Sequence, residues 1–182
     1  MFFGIVFVII AIFAGFIYNS LVRARQMAEE AWSGIDVQLK RRADLVPNLV
    51  ETVKGYAGHE RGTLTEVIEA RSRVQAIPQG DVAARGVAEG MLSQAFGRIM
   101  AIAETYPELK ANQNFIQLQN TLDEIEGEIQ MARRYYNGAT RDLNIKVESF
   151  PNNLFAKPFG FAKRAFFEID NPADRAVPAV QF

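Results

Sequence analysis

A chain of 182 residues with 20 basic and 21 acidic side chains, a formal charge of −1, lacks the clustered cationic surplus that a nucleic-acid surface requires. The absence of cysteine excludes disulfides, thiolate metal sites and cysteine nucleophiles together. With an uncharged leading stretch set aside, about 160 residues remain, which suits one domain with its own core rather than two.

Residues Met1 to Val22 carry no charge at all. Phe2, Phe3, Ile5, Val6, Phe7, Val8, Ile9, Ile10, Ile12, Phe13, Phe16 and Ile17 dominate the stretch, and at ~1.5 Å per residue it reaches roughly 26–33 Å, the thickness of a hydrocarbon core. A cleaved signal peptide needs a basic start and a small-x-small cleavage site. Only Met1 precedes this run and Tyr18-Asn19-Ser20-Leu21-Val22 follows it, so residues 1–22 read as a transmembrane anchor with the lipid bilayer as first partner. Arg23 and Arg25 follow the anchor, with Lys40, Arg41 and Arg42 farther on, and nothing basic precedes it. That bias predicts a single-pass protein of the inner membrane, N-terminus outside and the bulk in the cytoplasm. Glu29 and Glu30 dilute the charge and leave a periplasmic bulk as the alternative. Ala11 and Gly15 form a small-x-x-x-small pair that would let two anchors approach closely.

Beyond the anchor, Leu21, Ala24, Ala28, Trp32, Ile35, Leu39 and Val46 recur at helical spacing, so anchor and rod read as one helix. Pro47 lacks the N–H the helical ladder needs and biases Val46 away from the helical region. A kink would keep Leu39, Val46, Leu49 and Val53 in phase; a break, with Asp44 as the next cap, avoids a helix of some 75 residues, and is the reading adopted. A second helix over 45–76 then carries Leu49, Val53, Tyr56, Leu64, Val67, Ile68 and Val74, ended by Pro78-Gln79-Gly80-Asp81. A third, over 82–105, carries Val87, Met91, Ala95, Ile99 and Ile102 up to Tyr106-Pro107. Its Gly86, Gly90 and Gly97 either weaken the helix by ~1 kcal/mol each or permit close helix approach.

The fourth segment is the most regular. Phe115, Leu118, Leu122, Ile125, Ile129, Ala132, Tyr136, Ala139 and Leu143 alternate at three and four residues, the seam of a bundle or coiled coil. The expected fold is all-α: an anchor continuous with an antiparallel up-and-down four-helix bundle over 23–149, its seam turned inward or against another subunit. Periodicity stops at Phe150-Pro151. The last 33 residues hold seven of the fourteen phenylalanines, Phe150, Phe155, Phe159, Phe161, Phe166, Phe167 and Phe182, together with Pro151, Pro158, Pro172 and Pro178. Disordered tails are poor in aromatics, so residues 150–182 read as a non-helical tail docked on its own bundle, on a neighbouring chain or at a lipid surface.

Chemistry is scarce. A di-metal bundle needs Glu-x-x-His pairs, yet His59 is the one histidine and Tyr56 stands three before it. No nucleophile-elbow pattern or glycine-rich phosphate loop occurs. His59 is expected to be a structural or surface residue, with binding or pH sensing as the sharper option. Lys40-Arg41-Arg42-Ala43-Asp44 is either a solvated helix end or a salt-bridge cluster between helices or subunits. No cofactor, metal, catalytic residue or small-molecule substrate is expected.

Three stretches carry a resemblance: residues 18–25, 31–50 (with Trp32, Arg41, Arg42, Asp44, Pro47 and Asn48) and 53–60 (ending His59-Glu60). Ala132-Arg133-Arg134-Tyr135-Tyr136-Asn137 and Phe150-Pro151-Asn152-Asn153 with Phe161 extend it over essentially the whole chain, which resembles the LemA family. The resemblance implies one N-terminal span, an up-and-down helical bundle, a hairpin near Pro47, no established enzymatic activity or cofactor, and for some members a gene-neighbourhood link to membrane proteases. The expected function is a membrane-anchored, non-enzymatic scaffold that self-associates into a homo-oligomer through its charged heptad faces and Phe-rich tail. The alternative is an adaptor or regulator of a membrane-embedded enzyme such as a protease, docking through that tail.

Overall fold

The computed structural model describes residues 2–78 and 80–169. Six helices account for the regular structure, with no strand among the described residues: α1 (Phe2–Tyr56), α2 (Arg61–Ala76), α3 (Val82–Thr105), α4 (Pro107–Lys110), α5 (Gln113–Glu148) and α6 (Asn152–Ala156). The described residues form two compact units, one of residues 2–36 with 130–166, the other of 37–129 with 167–169. The long helices α1 and α5 each contribute a stretch to both.

In the first unit the expected rod stripe is the packed face of α1: Leu21, Ala24, Ala28 and Ile35 are buried. The Trp32 ring stands 5.4 Å from that of Tyr136 on α5. Returning beside them, the chain after α6 is fixed by its backbone. The Asn144 side-chain amide donates to the Arg164 carbonyl at 2.9 Å and accepts from the Arg164 N–H at 2.8 Å, while the Tyr136 hydroxyl donates to the Ala165 carbonyl at 2.9 Å. An unpaired buried backbone group would cost about 1–3 kcal/mol, so these three bonds make it possible for a strand-like segment to run along a helix.

Pro47 does not break the helix. Its missing N–H orphans the carbonyl four residues back, on Ala43, and Arg71 Nε of α2 donates to that oxygen at 3.0 Å. The helix therefore continues, and the reversal expected at Pro47 falls at Ala57-Gly58-His59-Glu60, where the Glu60 N–H bonds the Ala57 carbonyl. Replacing Arg71 with Met is expected to cost ~1–2 kcal/mol and to speed amide exchange over residues 44–50. Unchanged exchange there would show that the carbonyl needs no side-chain donor.

The core of the second unit is lined by Val46, Leu49 and Val53 of α1, Leu64, Val67 and Val74 of α2, Leu92, Phe96 and Ile99 of α3, and Phe115 and Leu122 of α5. Asp81 caps α3 by accepting from the Ala84 N–H at 3.0 Å. The bounds of α3 are those expected, and its face is so in part. Ala95 and Ile99 are buried and Ile102 partly so, but Val87 and Met91 are exposed, and the packed side takes in Ala88, Glu89, Gly90, Leu92, Phe96 and Ala103 instead. Apolar residues occur all around this helix, so spacing alone did not single out the face. Of its glycines, Gly86 meets backbone: a Cβ there would collide with the Glu168 carbonyl, whereas Gly97 faces open space. The close approach that Gly86 permits is thus to the C-terminal segment.

Tyr106-Pro107, expected as a simple stop, instead begins α4, with Pro107 in the first helical turn. Asn112 then caps α5, accepting from the Phe115 N–H at 3.1 Å. Every seam position of α5 is buried or partly buried within the chain.

The tail is not wholly irregular, since α6 supplies one helical turn. Gly160 closes it at φ 72°. The Phe161 N–H bonds the Ala156 carbonyl and the Gly160 N–H that of Lys157, the double bond of a Schellman ending, which turns Phe161 back over Ala156. Phe161 and Phe167 are buried, Phe155 is partly buried, and Phe150, Phe159 and Phe166 are exposed. Pro172, Pro178 and Phe182 lie outside the described residues.

Candidate functional site

Arg42 is the largest fully buried side chain of the second unit. It lies on the same α1 face as Leu39, Val46 and Leu49, so its helix places a guanidinium where a leucine would otherwise pack. One terminal nitrogen donates to Glu89 Oε2 at 2.5 Å and to the Glu89 carbonyl at 3.2 Å; the other donates to Glu126 Oε1 at 2.5 Å and Ser93 Oγ at 3.0 Å. Arg85 Nε adds a bond to Glu89 Oε1 at 2.9 Å, one turn away on α3. Two cations and two carboxylates therefore meet across α1, α3 and α5 with no net charge. Arg42 and Glu89 are wholly screened from solvent, while Glu126 keeps 35% of its side-chain surface. Arg42 Nε has no hydrogen-bond partner among the described residues.

Buried ions cost several kcal/mol each to desolvate and are retained only when paired. The rigid fork of a guanidinium offers a separate nitrogen to each of two carboxylates, a geometry that the single nitrogen of an ammonium lacks. The cluster thus fixes how α1, α3 and α5 register; both oxygens of Glu89 are already engaged, and Ser93 Oγ accepts from Arg42. This decides the two readings of Lys40-Arg41-Arg42-Ala43-Asp44: the segment is no helix end, and Arg42 bridges helices. Arg41, exposed, bonds only Gln38 of its own helix.

The other motif residues are dispersed. Asp44 and Pro47 are exposed, and Asn48 lines a polar groove of about 450 Å³ with Glu51, Thr52, Asn114, Gln117 and Thr121. His59 is exposed in the α1–α2 turn, and Glu60 meets the Tyr106 hydroxyl at 3.5 Å. Trp32 belongs to the first unit. Glu89, Ser93 and Glu126, absent from the residues singled out by sequence, complete the cluster. Among the described residues no group of three or more His, Asp or Glu is placed to hold a metal ion.

At the other extreme of α1, Phe2, Phe3, Phe7, Ile9, Ile10, Phe13 and Phe16 are more than half exposed. The helix is long and apolar enough there to cross a membrane, and soluble monomers rarely turn an apolar run of this length to water.

An all-helical protein with a candidate membrane-spanning start and a buried ionic lock is the class these features define. The chain belongs to the LemA family, whose sequence model matches residues 31–182. It is 27% identical over 180 residues to Magnetosome protein MamQ 2 of Paramagnetospirillum magneticum, covering 86% of this chain and 66% of that protein. Magnetosome protein MamQ of Magnetospirillum gryphiswaldense is 24% identical over 180 residues, again covering 66% of the relative. Protein LemA of Metamycoplasma hominis is 27% identical over 150 residues, 82% of this chain and 68% of that protein. The chain spans about two thirds of the length of these relatives.

Proposed function

We propose that the protein is a membrane-anchored, non-enzymatic scaffold of an inner membrane that self-associates, its helices α1, α2, α3 and α5 forming an antiparallel up-and-down bundle on the cytoplasmic side. The carrying observation is the division of α1 into an exposed apolar start and a packed remainder: a surface of that kind is stable against lipid and costly against water. The names of the MamQ relatives, which place them with magnetosomes, agree with a membrane setting. Arg23 and Arg25 after the apolar run support the cytoplasmic side.

Self-association cannot draw on the α5 seam, which the chain's own core consumes, nor on Phe161 and Phe167, which are buried. One surface open to it in the second unit is the α2–α3 face, where exposed Met91 lies among Glu66, Glu69, Arg73 and Arg98. Two cations and two anions around an apolar centre suit contact with a second copy of the same face, since a two-fold interface is self-complementary. Crosslinking and native mass measurement of the full chain in mild detergent are expected to give a discrete oligomer that Met91→Glu weakens. A monomer at every concentration would end the scaffold reading.

A further inference from the structure

The first unit holds a second apolar surface, and its position is set by the anchor. Phe2 to Leu21 are uncharged and supply ~30 Å of helix, about one hydrocarbon thickness, and the first charge after them is Arg23. Ile17 therefore lies within roughly 8 Å of the point where the helix leaves the hydrocarbon. Yet Ile17 is not free for lipid. It is buried, with Leu21, under Ala156 and Phe161, and the ring of Phe159 meets that of Tyr18 at 5.3 Å. Whatever covers Ile17 and Leu21 is carried to the level at which α1 leaves the hydrocarbon.

We infer that the segment from Phe150 to Gly160, including α6, is an interfacial membrane element that sinks into the acyl–headgroup boundary beside the anchor. The inference rests on the reading of residues 2–22 as a membrane span. The outward residues of the segment have the required chemistry. Phe150 is 79% exposed, Leu154 61% and Phe159 56%, which in water is a costly grouping for a five-residue helix and its flanks. Phe159 joins the apolar surface of the anchor through Tyr18, so one solvent, the lipid, suits both.

Polar groups stand where headgroups would. Lys157 and Arg23 are exposed. Lys146 Nζ donates to Ser20 Oγ at 3.0 Å, and the Arg25 guanidinium lies 5.0 Å from the Phe161 ring centroid. Long cationic side chains of this kind lay their stems on apolar surface and turn their charges to anionic lipid. Interfacial helices reach about 5–10 Å into the boundary, the depth at which Ile17 and Leu21 place this segment. The tail is thus a second membrane contact that fixes how the first unit leans on the bilayer, beyond tethering alone.

Because the chain has no cysteine, single nitroxide labels report cleanly. Full-length Leu154→Cys, Phe159→Cys, Ile9→Cys and Met131→Cys are reconstituted in vesicles of phosphatidylethanolamine and phosphatidylglycerol. Relaxation by oxygen is then compared with relaxation by a water-soluble nickel chelate. Labels at 154 and 159 are expected to be relaxed by oxygen and shielded from the chelate, as at 9, while 131, exposed on α5, is relaxed by the chelate. Chelate access at 154 and 159 with shielding at 9 overturns the interfacial segment and leaves the anchor standing; chelate access at 9 overturns the anchor reading itself. Shielding of 154 and 159 from both agents, with dipolar broadening between labels, would assign the surface to a second copy and likewise overturn the proposal.

Discussion

Arg42→Ala is expected to destabilise the protein by about 3–5 kcal/mol, because it strips Glu89 of its buried partner and leaves a carboxylate without solvent. Against a total stability of roughly 5–15 kcal/mol, that loss is large enough to lower the yield of folded chain. Arg42→Lys is expected to recover only part of it. An ammonium on a shorter, unforked reach does not serve Glu89 and Glu126 together, whereas the guanidinium meets both at 2.5 Å. The informative partner is the double replacement Arg42→Met with Glu89→Met. Removing both ions avoids the desolvation cost, and comparable replacements by well-packed apolar residues are neutral or stabilising. Urea denaturation of the full chain in mild detergent, followed by circular dichroism, measures all three. If Arg42→Ala stays within about 0.5 kcal/mol of the parent, the ionic lock contributes nothing to stability.

The lock was legible in the sequence, though only through the seam it interrupts. Ile35, Leu39, Val46, Leu49 and Val53 leave one gap of seven residues, and Arg42 fills it at the three-four spacing. On α3, Glu89 stands in the same relation to Leu92, Phe96, Ile99 and Ala103. Two opposite charges on two packed faces are a pairing signal. The exposed Val87 and Met91 hid it, because α3 is apolar on several sides and its packed face is marked by small residues. Nor did composition reveal that helix α1 survives Pro47. That outcome depends on Arg71, distant in sequence, bonding the carbonyl that the proline orphans. The α5 seam, by contrast, was unambiguous from Phe115 to Leu143, since nine positions in strict alternation admit one buried face. The tail lay between these cases. Its aromatics predicted docking, but only backbone geometry at Gly160 and Asn144 decides which rings turn inward.

Those rings yield the sharpest contrast within the tail. Phe161→Ala is expected to cost about 3–5 kcal/mol, the range for removing a buried aromatic from a packed site. Phe161 is 4% exposed and packs with Ile17 and Leu21. Its ring lies 5.7 Å from Tyr18 in an edge-to-face contact and 5.0 Å from the Arg25 guanidinium. These geometry-dependent contacts account for roughly 0.5–1.5 kcal/mol of the loss; the rest is apolar burial and the cavity left behind. Phe161→Leu keeps much of the volume and loses the ring contacts, so it is expected to fall in between. Phe159→Ala, two residues away, removes a ring that is 56% exposed and is expected to shift stability in detergent by no more than about 0.5 kcal/mol. Urea midpoints, paired with limited proteolysis between Phe150 and Glu168, separate the cases: Phe161→Ala opens the segment to cleavage, whereas Phe159→Ala does not. Equal effects at the two positions would mean that the Gly160 reversal does not select which ring enters the core. A tail held this way is part of the packed structure rather than a detachable arm, and a partner that bound it alone would have to compete with α1 for Phe161.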